Sequence, residues 1–293
     1  MPIILSVLEI VAPVFLLAAI GYAWIKAGLD YPMGFVTNIV MTLSVPCLIF
    51  VSLMKTNINP EALASIFYAA ILTYLVITVI FYALVKAMSI EVKTFLAPLI
   101  FSNTGNLGLP LALFAFGDIG LDYAILVFAV MAVYAYSLGV WMVSGGGSPV
   151  AVIKEPMVWA TTFGAIFMLQ GWQTPVFLTN TLELIGQLAI PLMLITLGVA
   201  LARLQAPSFG RAVWLSILKF IICVIVSFTI GRWFGLEPIA LAVLVIQVST
   251  PVAVSSYLLA QKYGANANEV AGLVVVSTAI SVIGLPLLLG FLV

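Results

Sequence analysis

The residues that could do chemistry in this sequence lie in two polar runs, each inside a long apolar segment. The first run is 101–110 (FSNTGNLGLP) and the second is 247–256 (QVSTPVAVSS). Their side chains are amides and hydroxyls, which form hydrogen bonds without carrying charge. Glycine and proline weaken a helix by about 1 and about 3 kcal/mol relative to alanine, so both runs are expected to break one. The free N–H groups that begin each half-helix favour an anion.

We therefore predict an anion-binding site built from the two runs. Its candidate substrate-binding residues are Asn103, Thr104, Gly105, Asn106, Gln247, Ser249, Thr250 and Pro251. Four more residues are expected to shape the breaks and the adjoining walls, namely Gly108, Pro110, Pro46 and Pro191. Neither run contains an acid or a base, so the intramembrane carboxylate that a cation/proton antiporter needs is missing from them.

The composition indicates an integral membrane protein. Hydrophobic residues make up 65% of the chain and charged residues 7%, whereas a soluble domain has about 45–50% and about 25%. Ten basic residues balance ten acidic ones, so there is no basic surface for nucleic acid. The chain has no histidine, which removes the commonest general base and metal ligand. We expect no enzyme activity, no metal and no cofactor.

Breaks at membrane depth have two interpretations. Glycine, proline, serine and threonine are common in membrane helices as packing and kink residues, and for one run alone that interpretation is equally good. Freed backbone groups are tolerated only against protein or a water-filled cavity. Two breaks in corresponding segments therefore favour a transport site.

Ten segments are long and apolar enough to predict membrane spans. They are 4–25, 33–54, 62–87, 93–116, 121–143, 156–171, 176–202, 210–233, 238–261 and 269–292. The polar runs fall in the fourth and ninth spans. The fold class is therefore an all-α polytopic membrane protein.

The two halves of the sequence match each other. A shift of 146 residues places Thr104 on Thr250 and Glu91 on Glu237, and a shift of 145 places Pro46 on Pro191. Five spans per half is an odd number, so the second half must insert upside down. We predict an inverted repeat at 1–143, a short cytoplasmic linker at 144–155 and a second inverted repeat at 156–293.

Basic residues in the short loops predict the orientation. With the N-terminus outside, the inner loops contain Lys26, Lys86, Lys93, Lys154, Arg203, Arg211 and Lys262, and the outer loops contain Lys55 and Arg232. Both termini are therefore expected on the outer, periplasmic side of a plasma membrane (the inner membrane of a bacterium).

Two charged residues lie within predicted spans. Glu183 is in span seven and Lys219 in span eight, where a charge costs about 2.5–3.5 kcal/mol on insertion scales. Each could couple transport to an ion. A snorkelling Lys219 and a structural Glu183–Lys219 pair are the alternatives.

The motifs resemble those of the auxin efflux carrier family. Span four has N-T-x-x-x-G-x-P-L and span nine has Q-x-x-x-P followed by a distal tyrosine, at Asn103–Leu111 and Gln247–Tyr263. The resemblance covers the whole chain and implies crossing helices, homodimers and export of organic anions. Plant members have a proline directly before Asn-Thr, where this chain has Ser102, and a long cytosolic loop that is absent here.

The leading hypothesis is a secondary transporter that moves a small mono- or dicarboxylate by alternating access, and the resemblance implies the efflux direction. The alternative is a sodium-coupled organic-anion symporter similar to the bile-acid carriers. The expected partners are the substrate anion, the lipid bilayer and a second copy of the chain, and the coupling ion is H⁺ or Na⁺. A sensor or scaffold would bind an anion without flux.

Overall fold

The computed structural model describes residues 3–144, 155–204 and 210–292. Secondary structure in these ranges is helical, apart from one isolated β-bridge between Ser102 and Val252. The predicted linker at 144–155, including Lys154, lies outside the described residues except at its two ends. The all-helical class is confirmed.

Fourteen α-helices are described in these ranges. They are α1 (Ile3–Lys26), α2 (Met33–Ile39), α3 (Val45–Lys55), α4 (Pro60–Ala87), α5 (Val92–Ile100), α6 (Leu109–Tyr134), α7 (Val140–Ser144), α8 (Pro156–Gln170), α9 (Val176–Gln187), α10 (Ala189–Arg203), α11 (Gly210–Trp233), α12 (Pro238–Ser249), α13 (Val254–Lys262) and α14 (Ala267–Leu292). Short π-helical turns join some of them, at Val40–Ser44, Thr104–Gly108 and Ala135–Gly139.

Seven helical stretches in the described ranges are long and apolar enough to cross a membrane. They are Val7–Lys26, Met33–Lys55, Pro60–Ala87, Thr104–Val143, Val176–Arg203, Gly210–Trp233 and Ala267–Leu292. The number differs from the ten predicted spans because Thr104–Val143 joins the fourth and fifth, α8 in the sixth has only 15 residues, and the ninth is divided into two short helices. α5, α12 and α13 have 9, 12 and 9 residues, and a helix needs about 20 to span the hydrocarbon core.

The stretch Thr104–Val143 reverses direction at Gly117. A straight helix of its 40 residues would be about 60 Å long, about twice the thickness of the hydrocarbon core. Gly117 has φ 63° and ψ −154°, a conformation open essentially to glycine alone. A Cβ on Gly120 would lie 2.5 Å from the Ala112 carbonyl oxygen, so the chain after Gly117 folds back on the helix before it.

Close helix packing builds the frame around the interrupted segments. α1 lies along α10, and α3 lies along α8. A Cβ on Gly198 would be 2.7 Å from the Ala18 carbonyl carbon and 2.8 Å from the Tyr22 nitrogen. Small residues that let backbones approach in this way are typical of membrane helix interfaces. Large apolar side chains such as Val79 and Leu287 face outward and are about 70% exposed, as lipid-facing residues should be.

Candidate functional site

The two polar runs cross in the interior as short extended segments. α5 ends at Ile100, and α12 ends at Ser249. The Asn103 nitrogen donates to the Pro251 carbonyl at 2.7 Å, and the Ala253 nitrogen donates to the Phe101 carbonyl at 3.2 Å. These two hydrogen bonds pair the segments in antiparallel orientation. Each segment thus provides partners for backbone groups that have no helical partner in the other segment.

Side chains satisfy the remaining backbone groups at the crossing. The Ser102 hydroxyl donates to the Val248 carbonyl at 2.6 Å, and the Val252 nitrogen donates to the Ser277 hydroxyl on α14 at 3.0 Å. Thr250 donates its hydroxyl to the Gln247 carbonyl at 2.8 Å, which closes the end of α12. The crossing is therefore an ordered structure and not a loose loop.

Several predicted site residues keep polar atoms that are buried without a partner. These atoms are Asn103 Nδ2, Thr104 Oγ1, Ser249 Oγ and both amide atoms of Gln247. An unpaired buried polar group costs about 1–3 kcal/mol, and such groups are rare in proteins. Their concentration around the crossing indicates positions where ligands or waters complete the hydrogen bonding.

A cavity of about 270 Å³ lies on one side of the crossing; we call it the inner cavity. From the first run it is lined by Ser102, Asn103, Gly105 and Asn106, and from the second by Ala253, Val254, Ser255 and Ser256. The first turns after both breaks therefore face the same space. The opposite wall is apolar and includes Met41, Phe128 and Met193.

Gly105 and Gly108 hold two close contacts of the first break. A Cβ on Gly105 would lie 3.1 Å from both Phe128 Cε2 and Met193 Cε, so this glycine lets the wall of the inner cavity close on the backbone. A Cβ on Gly108 would lie 2.8 Å from Gln247 Cδ and would collide with Oε1. Gln247, predicted to bind substrate, is fully buried and packs against Gly108, and it is not among the residues that line the inner cavity. Pro110 is buried in the first turn of α6.

The two runs have no ionisable side chain, but Lys219 on α11 places an amine at the crossing. Its Nζ donates to Ser102 Oγ at 2.7 Å and to the Thr250 carbonyl at 3.1 Å, and the residue is only 2% exposed. The alternative of a snorkelling Lys219 is therefore wrong. A small second cavity of about 10 Å³ adjoins it, lined also by Ser216, Ser249, Ser277 and Ser281.

Glu183 does not meet Lys219, so the alternative of a Glu183–Lys219 pair is also wrong. Glu183 forms an ion pair with Lys55, because the short helix α9 places it beside the end of α3. Both line an outer cavity of about 730 Å³, together with Asp118, Asp122 and Glu237. Asp122 is buried and accepts a hydrogen bond from Ser52.

Pro46 and Pro191 line neither the inner nor the outer cavity. Pro46 lies in the first turn of α3, and Pro191 is exposed on the first turn of α10. Met193 and Thr196, two and five residues further along α10, form the wall instead. Among the described residues, no group of three or more metal-ligating side chains comes together.

Three serines of the crossing were missing from the predicted site, and the contacts of three predicted residues differ from those expected. Ser102, Ser255 and Ser256 stand in the quoted runs, so their sequence position already suggested them. Ser249 and Thr250 were predicted to form one anion site with Asn103, but both line the small cavity beside Lys219. Lys219 is separated from the crossing by about thirty positions in the chain, and only its burial in an apolar span marked it.

The chain is similar in sequence to membrane transport proteins. Residues 6–155 and 148–289 match the family model described as membrane transport protein. An uncharacterized transporter of Methanocaldococcus jannaschii is 25% identical over 302 residues, covering 94% of this chain and 96% of the relative. An uncharacterized transporter of Methanothermobacter thermautotrophicus is 27% identical over 292 residues, covering 95% and 96%. A Rhizobium meliloti protein named "Putative malonate transporter" is 23% identical over 303 residues, covering 93% and 92%.

Proposed function

This chain belongs to the auxin efflux carrier-like family of membrane transport proteins, and from this premise we propose that it is a secondary transporter. Its substrate in this proposal is a small organic anion, a mono- or dicarboxylate, carried by alternating access and in the efflux direction. Multiple apolar helices place the chain in the membrane as a multi-pass protein, and both the family and the named relatives indicate transport and not catalysis.

The observation that carries the proposal is the convergence of two helix starts and a buried, unpartnered amide on one cavity. Asn103 and Ser255 lie at the starts of the two helices that leave the crossing, and helix N-termini favour anions. None of the residues lining the inner cavity is acidic, and Lys262 lies among them. The apolar wall suits the carbon skeleton of a small carboxylate.

The positions of the two larger cavities support alternating access. Met33 lines the inner cavity and Lys55 lines the outer one. These residues are the two ends of the same membrane-spanning stretch, so the cavities open toward opposite sides of the membrane. The crossing lies between them, where a substrate would be exposed first to one side and then to the other.

The topology that we propose has ten spans in two inverted repeats, at 1–143 and 156–293. The reversal at Gly117 divides the fourth span from the fifth. The packing of α1 on α10 and of α3 on α8 supports the repeat. These helices lie in spans one and seven and in spans two and six, and the repeat relates span one to span six and span two to span seven. The two contacts are therefore equivalent. The excess of basic residues near Met33 and Lys262 supports a cytoplasmic inner cavity, with both termini outside. The homodimer and the plasma-membrane location stay predictions.

Malonate is the first substrate to test, because one relative carries it in its name. Wild-type protein in vesicles is expected to move labelled malonate. Asn103→Ala should reduce that flux at least tenfold, since it removes the unpartnered amide from the cavity, while the melting temperature stays close to that of the wild type.

Asn180→Ala is the matched control, because Asn180 is exposed on α9 and should leave flux unchanged. Equal flux in the Asn103 and Asn180 variants would contradict the assigned site. Repeating the measurement with and without a sodium gradient separates the proposal from the alternative, a sodium-coupled organic-anion symporter. Binding of malonate without any flux would favour a sensor.

A further inference from the structure

We propose that Lys219 is the proton-coupling site of this transporter: it takes up a proton as the anion binds at the crossing and gives it up as the anion leaves. The inference rests on the proposed function and assigns the coupling ion and the residue that carries it. The proton comes from water on the side where the anion enters, converts the neutral amine to an ammonium, and returns to water on the other side.

The hydrogen bonds of Lys219 can be kept in both protonation states. Ser102 donates its own hydrogen to the Val248 carbonyl, so it can only accept from Lys219 Nζ. The Thr250 carbonyl can only accept as well. A neutral amine has two hydrogens, one for each acceptor, and an ammonium has a third. Losing one proton therefore breaks neither bond, which is the property that a reversible proton site needs.

The third hydrogen of the ammonium can be donated to a water in the small cavity beside Lys219. The small cavity beside Lys219 has a volume of about 10 Å³, close to the minimum that admits one water. It is lined by Ser216 and Ser249, whose hydroxyl oxygens are buried without partners. One water there would satisfy these hydroxyls and the third N–H, and it would give the proton a first step out of the crossing.

No carboxylate fixes the charge of Lys219. The ion pairs of the described residues are Lys55–Glu183 and Arg211–Glu269, and neither is at the crossing. A charge in the membrane interior without a partner is costly, and a buried lysine changes its protonation readily. Without the anion, the carrier therefore favours the neutral amine of Lys219 over the ammonium.

The titratable groups on the helices packed against α11 do not replace such a carboxylate. On α11 the titratable group nearest in sequence to Lys219 is Cys223, one turn along the helix, and on α4 Tyr74 is buried. α12 has no titratable side chain. The charged residues of α4, α5 and α14 stand at or near helix ends, and they are Glu61, Lys86, Lys93 and Glu269.

Ser102 connects the lysine to the anion site. It accepts from Lys219 Nζ on one side and lines the inner cavity on the other, next to Asn103. An anion in the cavity therefore lies one side chain away from Nζ and favours the ammonium. By linkage, the ammonium favours the anion by the same factor. Anion and proton then bind together and are carried in the same direction.

The test uses full-length protein in proteoliposomes that contain a pH-sensitive dye, with the membrane potential clamped. Above pH 7.5 nearly all of the malonate has both carboxyls ionised, so we expect a proton that enters with it to be carried by the protein. An inward malonate gradient should acidify the lumen in the wild type. Lys219→Met and Lys219→Arg should abolish the acidification, since one cannot be protonated and the other cannot be deprotonated. Lys86→Met, which removes an exposed lysine, is the control and should acidify like the wild type.

A second measurement does not depend on any variant. Calorimetric titration of the wild type with malonate, in two buffers of different ionisation enthalpy, should report uptake of close to one proton per anion. The dissociation constant should rise by up to about tenfold per pH unit where the free carrier loses the Lys219 proton. In Lys219→Arg it should become independent of pH.

The outcomes separate the inference from the proposed function. Malonate flux in the wild type without lumen acidification would overturn the inference and leave the transporter intact. Acidification that persists in Lys219→Arg would assign the proton to another group and would overturn it as well. Absence of malonate flux in the wild type would instead count against the proposed substrate class, and with it against this coupling.

Discussion

Replacing Gly108 by alanine should separate the two interrupted segments, because the added methyl group falls on Gln247. The Cβ would lie 2.8 Å from Gln247 Cδ and closer still to Oε1, where about 3.5–4.0 Å is a normal carbon–carbon contact. Gln247 is fully buried and has little room to change rotamer. Either its side chain or the turn at Thr104–Gly108 must move.

The size of the effect can be estimated from two opposing contributions. Overpacking a filled site costs about 1–3 kcal/mol, and alanine in a helix gains about 1 kcal/mol over glycine. We expect a net loss of up to about 2 kcal/mol in stability. Transport should fall more steeply, since a misplacement of about 1 Å at a site can cost on the order of a hundredfold in rate.

The assay is thermal unfolding in detergent together with malonate flux in vesicles. Gly34→Ala is the matched control, because Gly34 is exposed in α2 and a Cβ there would meet nothing within 4 Å; it should be neutral or stabilising. The double variant Gly108→Ala, Gln247→Ala removes the atoms that collide and should recover the melting temperature relative to Gly108→Ala. Wild-type stability and flux in Gly108→Ala would refute the reasoning.

Two further predictions test the frame and the orientation. Gly198→Ala should separate α1 from α10 and lower the free energy of unfolding by about 3 kcal/mol. Thermal unfolding measures the change, and Gly210→Ala is the control because a Cβ there would meet nothing within 4 Å. Equal melting temperatures in the two variants would contradict the close contact at Gly198. Asn106→Cys should react with a charged thiol reagent from the cytoplasmic side and Asp118→Cys from the outside, since they line the inner and outer cavities. Labelling with the opposite sidedness would reverse the proposed orientation.

The sequence by itself determined the class of the protein and the location of its breaks. Composition is a sum over residues, so 65% hydrophobic content indicates a membrane protein whatever the packing. The breaks are also local, because glycine and proline act on their own backbone. α5 ends at Ile100 and α12 at Ser249, within the two runs that predicted them.

Only the tertiary structure decided which side chains share the crossing. Lipid is as apolar as the protein interior, so a membrane helix has no polar face that tells the inside from the outside. The sequence of α11 therefore could not say that Lys219 faces Ser102 and Thr250, nor could that of α9 say that Glu183 meets Lys55. Nor could the sequence show which side of the crossing Ser249 faces. Contacts between residues far apart in the chain depend on how helices rotate against one another, and close packing fixes that rotation only once all of them are assembled.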